Sequence, residues 1–205
     1  MCNLYRLNRS AAEIANLFGA APEHGANFGE DIYPGYPGLV IAEGRARAMV
    51  WGFPLVLTGK QGQPLKPKPV NNTRTDKLGS SFWRSSFIAR RCLIPVTAYA
   101  EAEGEKGRMT RSWFSLPGEP IFACAGIWRF TAEWGAAYSM VMTDACAQIG
   151  PGHDRMPVIL RSDQHEAWLS GSPEEAFDLS LPYGGAMIAE RTDQPWAKRK
   201  TGSLI

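Results

Sequence analysis

The chain has 205 residues, 44% of them hydrophobic with seven Trp, and carries 22 Lys+Arg against 20 Asp+Glu, net +2. This suffices for one domain with a real core over 1–205, and the balanced charge excludes wholesale coating of nucleic acid, so any basic surface is a local groove. No apolar region follows the basic residues of the start and no run of ~18 apolar residues occurs, so neither a signal peptide nor a membrane span is expected.

Ser10, Ala11, Ala12 and Glu13 read as a capping box opening a short helix, with Gly19 as its stop. Residues 20–38, rich in Gly and Pro, read as ordered loop. Leu39–Ile41 and Ala48–Trp51 are strand-like and join through Glu43-Gly44, a hairpin turn. Residues 58–69 contain three prolines and are expected to form a loop. A helix near 80–89 starts at Ser80 or Ser81, and strands follow at 91–101, 113–116, 121–129 and 137–143, with Pro117-Gly118 as a turn. Ser162 and Ser172-Pro173 open two closing helices, and the tail 191–205, with Lys198-Arg199-Lys200, is expected to be loose. The lack of strand–helix alternation disfavours a doubly wound sheet. The expected class is α+β, mainly antiparallel sheet that can close into a barrel, with a few short helices.

The second residue is a cysteine. Removal of Met1 would place an α-amine and a thiol on adjacent carbons, and such a pair condenses with an aldehyde first to an imine and then to a five-membered thiazolidine. The amine titrates near ~7.7–8 and the thiol near ~8.5. A retained Met1 would leave only an ordinary thiol. The other cysteines, Cys92, Cys124 and Cys146, lack CxxC spacing and read as small reduced hydrophobes of a cytoplasmic protein. Their spacing with His153 does not favour zinc, and no metal or other cofactor is expected.

Beside Cys2 stand four further segments: Trp51-Gly52, Val70 to Asp76, Arg91-Cys92-Leu93-Ile94-Pro95 through Glu101, and Gly152 to Leu160 with His153, Arg155, Met156 and Pro157. With Phe122 to Trp128, this ordered set resembles the SOS-response-associated peptidase (SRAP) family, whose members cross-link to abasic sites in single-stranded DNA. The resemblance implies Cys2 as nucleophile, Asn72 orienting the deoxyribose, Glu101 as general acid/base and His153 as proton shuttle. Arg74, Arg155 and, more weakly, Arg84 are implied as phosphate contacts, and Trp51 either stacks on a base or fills the core. The chain departs from the family pattern at Asn3-Leu4 for Gly-Arg, at Ala100 and Ala102 for aromatics flanking Glu101, at Asp76, and at Asp31-Ile32-Tyr33-Pro34.

The implied activity is a covalent thiazolidine cross-link to abasic single-stranded DNA, with strand cleavage by β-elimination as a side activity. The expected partner is that DNA, and the expected state is a monomer. Two other readings stay open: a cysteine peptidase or N-terminal-nucleophile amidohydrolase, and a non-catalytic single-strand-binding module.

Overall fold

The computed structural model describes residues 2–149 and 153–196. β1 (Tyr5–Arg6) precedes α1 (Ala11–Leu17), whose capping box forms as expected. Glu13 N donates to Ser10 Oγ at 3.2 Å and Ser10 N donates to Glu13 Oε2 at 2.9 Å. Two short strands, β2 (Ala21–Pro22) and β3 (Asp31–Ile32), interrupt the segment expected as loop. β4 (Pro37–Ala42) and β5 (Arg45–Trp51) make the expected hairpin. Its two turn residues, Glu43 and Gly44, have φ of 50° and 69°, which matches strand twist in a two-residue turn.

The segment 58–69 departs from expectation. β6 (Phe53–Leu55) pairs with β7 (Lys68–Val70), and between them Leu65 N donates to Leu57 O at 2.8 Å and Gly59 N to Gln63 O at 2.7 Å. The prolines are tolerated because Pro54 lies directly opposite Pro69, in a pair that need not use its own amides. The result is a projecting hairpin. Its base is locked at Gly52 (φ +116°), where an added Cβ would fall 2.5 Å from Pro69 Cβ.

β8 (Asn72–Arg74) is followed by α2 (Arg84–Ala89), which starts later than the serines suggested because Trp83 and Arg84 first turn back onto the Ser80 carbonyl. Next come β9 (Arg91–Val96), β10 (Ala98–Glu103), β11 (Thr110–Ser115), β12 (Phe122–Thr131), β13 (Gly135–Asp144), β14 (Arg155–Pro157) and β15 (Ile159–Leu160). The closing helices α3 (His165–Ser170) and α4 (Pro173–Asp178) precede β16 (Ile188–Pro195). Thus the tail expected to be loose from 191 is strand through Pro195, and Lys198-Arg199-Lys200 lie outside the described residues.

β13, β12, β9, β4 and β5 pair antiparallel in that order, and β5 returns to β13 in parallel through Ala137↔Val50 and Tyr138↔Trp51. A ring of five strands cannot be antiparallel throughout, so one parallel join is the topological condition for closing this barrel. A second sheet, β3–β1–β10–β11–β16, packs against it. The run 91–101, expected as one strand, is divided between the two: β9 belongs to the barrel and β10 to the second sheet. At the break, Thr97 N and Oγ1 both donate to Arg6 O, at 2.8 and 3.0 Å.

Arg91 supports the crossing from beneath. Its buried guanidinium donates to the carbonyls of Phe87 (2.8 Å) and Ile88 (3.2 Å) in α2, and to those of Trp168 and Gly171 at the end of α3. It thereby satisfies carbonyls that both helix C-termini would leave unpaired.

Candidate active site

Cys2 precedes β1 and is 0% exposed. Its carbonyl oxygen accepts from Asn72 Nδ2 at 2.7 Å and Asn71 Nδ2 at 3.0 Å, and the Asn71 amide also reaches Asn3 Oδ1 at 3.1 Å. β8 lies parallel to β13, Asn72 opposite Met140, which fixes both asparagines. The Asn71 carbonyl accepts from Met140 N (2.9 Å) and from Trp51 Nε1 (3.0 Å), while the Thr73 hydroxyl bonds that of Ser139 at 2.8 Å. Trp51 is therefore an anchor for the asparagine clamp. At 0% exposure, between Tyr5 and Tyr138, it offers no face to a base.

Glu101 comes from β10, where alternate residues share a face. Its side chain is 4% exposed, with Oε2 3.8 Å from Nδ1 of His153, itself 9% exposed. Tyr99, on the same face, stacks on Phe114 at 5.3 Å and supplies aromatic wall. Ala100 lies on the opposite face, buried with Leu4 and Trp113, and its amide donates to the Leu4 carbonyl at 2.9 Å. Two departures from the family pattern, Leu4 and Ala100, are thus neighbours on the far side of the sheet from Glu101, and the acid remains buried without flanking aromatics.

Burial sets the protonation states. It pushes the Glu101 carboxyl up to about 7 and lowers His153 below its ordinary value. Near neutral pH the pair is a carboxylic acid in exchange with its carboxylate beside a neutral imidazole, so it moves protons more readily than it holds an ion pair. The Cys2 thiol is raised well above its usual value by burial and then by the Glu101 charge, and at rest it donates to the Leu4 carbonyl at 3.4 Å.

The structure therefore brings Cys2, Asn72, Glu101 and His153 together. Met1, and Gly152 of the His153 motif, lie outside the described residues. Arg74 and Arg155 flank this cluster on the strands to either side of β13. Arg74 bonds Asp76 through Nε (2.8 Å) and Nη2 (2.7 Å), and Arg155 Nη1 meets Asp144 Oδ1 at 2.7 Å. Arg84 does not join them: it lines a separate groove between α2 and α4, with Phe177, Glu174 and Asp178. All four cysteines are free thiols, Cys92 and Cys124 buried and Cys146 half-buried. Among the described residues no three His, Cys, Asp or Glu side chains are placed to hold a metal ion, and no helix is long and apolar enough to cross a membrane.

The profile of the SOS response associated peptidase (SRAP) family matches residues 1–192. The chain belongs to that family. A curated relative, "Abasic site processing protein YoaM" of Bacillus subtilis (strain 168), is 28% identical over 110 residues, which are 49% of this chain and 48% of that protein. The chain thus spans about half the length of the curated relative it matches. A crystal structure from Bacteroides thetaiotaomicron superposes with a TM-score of 0.77 at 20% identity, covering 93% of this chain and 91% of that one. Another, from Bordetella bronchiseptica, gives 0.76 at 22% identity, covering 93% and 99%. At these identities the structures establish a shared SRAP fold.

Two features of this SRAP chain are missed when only motif residues are read. Asn71 shares the clamp with Asn72, and as half of an Asn-Asn pair it is indistinguishable from turn chemistry. The projecting hairpin carries Lys60, Lys66 and Lys68 beside partly exposed Leu55, Val56, Leu57 and Leu65. The signal for it was present: no Asp or Glu occurs between Glu43 and Asp76.

Proposed function

We propose that this protein captures abasic sites in single-stranded DNA as a covalent adduct of Cys2. The convergence of Cys2, Asn72, Glu101 and His153 from both ends of the chain carries the reading, and the printed name of the Bacillus subtilis relative points the same way. With Met1 removed, the Cys2 α-amine adds to the C1′ aldehyde of the ring-opened sugar. Protonated Glu101 donates to the carbinol oxygen, which leaves as water and yields an iminium. The carboxylate then takes the thiol proton, sulfur bonds to C1′, and the C=N pair returns to nitrogen. Net products are thiazolidine and water, with Glu101 again protonated. The asparagine clamp on the Cys2 carbonyl fixes the direction of amine and thiol, so closure profits from effective molarity. His153 exchanges protons with Glu101. The imine also acidifies the C2′ protons, which accounts for β-elimination as a slow side activity.

The DNA backbone would cross Arg74 and Arg155. Each sits in an exposed or half-exposed ion pair of the kind worth ~0–1 kcal/mol, which a phosphate can replace. Asn72 Oδ1 is buried without a hydrogen-bond partner among the described residues, an acceptor free for a sugar hydroxyl. The peptidase reading is weaker. A thiolate–imidazolium pair needs a lowered thiol and a raised histidine, whereas burial acts in the opposite sense on both Cys2 and His153.

The test is the intact mass of protein shown to lack Met1, after incubation with an abasic single-stranded oligonucleotide. A denaturant-stable adduct is expected, with Cys2→Ser giving only a labile imine. Absence of any adduct, or peptide turnover without DNA, overturns the reading.

A further inference from the structure

Asn3 is exposed beside the buried Cys2, and hydrogen bonding fixes which way its amide is turned. The Cys2 carbonyl oxygen can only accept, so the Asn71 atom that reaches it at 3.0 Å is the nitrogen, Nδ2. That nitrogen carries two hydrogens. The second goes to Asn3 at 3.1 Å, and the atom that receives it is the acceptor of that side chain, Oδ1. The Asn3 nitrogen is therefore turned away from Asn71, and it meets no acceptor among the described residues.

Two observations say what such a donor would meet. Where the family pattern has Gly-Arg after the cysteine, this chain has Asn3-Leu4, and Leu4 is 1% exposed, packed with Ala100 and Trp113 on the far side of the second sheet. Position 4 thus offers a substrate no donor, and the polar side chain that remains there is Asn3. The substrate itself has lost its base. Its remaining acceptors are sugar oxygens, which enter the pocket of Cys2, Asn72 and Glu101 in the reading above, and phosphate oxygens, which stay outside. A donor on the rim faces the second kind. Asn3 also abuts the residue before β8, the strand that ends in Arg74.

We infer that Asn3 is a further substrate-binding residue, its Nδ2 donating to a phosphodiester oxygen beside the abasic sugar while its Oδ1 stays on Asn71. The inference rests on the cross-linking reading. The contact completes a chain from phosphate to Asn3, from Asn3 to Asn71 and from Asn71 to the Cys2 carbonyl, so a seated backbone steadies the clamp that aims the amine and thiol. As a neutral donor, Asn3 orients the strand without displacing counterions.

Binding is measured on Met1-free protein with a single strand carrying tetrahydrofuran, an abasic analogue without an aldehyde. Methylphosphonate replaces the phosphodiester on the 5′ or the 3′ side of that unit in turn. Asn3→Ala should bind the unmodified strand about tenfold more weakly, with the slope of log K against log salt unchanged. At one of the two linkages methylphosphonate should remove most of that difference, the coupling expected of direct partners. Asn3→Asp separates contact from support. Its carboxylate still accepts from Asn71, so its melting temperature should stay near that of wild type. It turns an acceptor toward the phosphate, so it should bind more weakly than Asn3→Ala, and the same methylphosphonate should relieve the loss. Asn3→Asp that binds like wild type, or no coupling at either linkage, overturns the inference alone and leaves Asn3 as a support for Asn71. Wild type that forms no adduct with a true abasic strand overturns the cross-linking reading and this inference with it.

Discussion

At the scale of single residues, burial decides what Glu101 and His153 do. Glu101 titrates near 7 when folded against 4.5 unfolded, so the folded state holds the proton more tightly and loses stability as pH rises through that window. The shift corresponds to about 3 kcal/mol. Glu101→Gln is therefore expected to match wild type in urea unfolding near pH 4.5 and to exceed it by about that amount above pH 8. An equal difference at both pH values would show that the carboxyl does not titrate there. His153 runs the other way: its folded pKa is depressed, so its contribution is lost as pH falls below the ordinary histidine range. Cross-linking should follow a bell. Neutral α-amine increases toward ~7.7–8 while protonated Glu101 declines above about 7. Glu101→Gln should be slower, and its rate should no longer fall on the alkaline side.

At the scale of elements, the projecting hairpin and the Arg91 cap make separate claims. The hairpin runs directly into the Asn71–Asn72 clamp and presents Lys60, Lys66 and Lys68 without a neighbouring acid. If these lysines track the DNA backbone, replacing all three with glutamine should weaken binding to undamaged single strands and flatten the log K against log salt plot by ~2, at ~0.7 per phosphate contact. An unchanged slope would remove the hairpin from the binding surface. Arg91→Met should cost about 3 kcal/mol, because it leaves the carbonyls at the ends of α2 and α3 unpaired inside the protein. Thermal unfolding measures it, and a cost below about 1 kcal/mol would mean that water replaces the guanidinium. The element pattern also shows what sequence reading could reach. The Ser10 capping box, the Ser172 helix start and the Glu43-Gly44 turn were legible because each is a contact among residues three or fewer apart. The division of 91–101 at Thr97 was not legible, because Thr97 bonds a carbonyl of β1, distant in sequence.

At the scale of the whole molecule, one glycine joins the two sheets. Tyr5 of the second sheet and Tyr138 of the barrel share a hydroxyl–hydroxyl hydrogen bond, and both oxygens rest on Gly38, where a Cβ would lie 2.1 and 2.2 Å from them. Gly38→Ala should cost about 3 kcal/mol and reduce cross-linking, since Tyr5 lies three residues from Cys2. Adding Tyr5→Phe and Tyr138→Phe should recover part of the melting temperature, and no recovery would mean that the strain arises elsewhere. Which residues to consider was legible through the resemblance to the SRAP family, which points to Cys2, Asn72, Glu101 and His153 as the proposed reacting groups. Their chemical states were not. A carboxyl near 7, a neutral histidine and a tryptophan that anchors asparagines where a base-stacking role stood open all depend on which surfaces cover them. Those surfaces come from strands that meet only when the five-strand barrel closes and the second sheet docks upon it. Local sequence encodes side-chain chemistry and short-range hydrogen bonds, while burial is a property of distant segments brought together, and burial is what tunes this site.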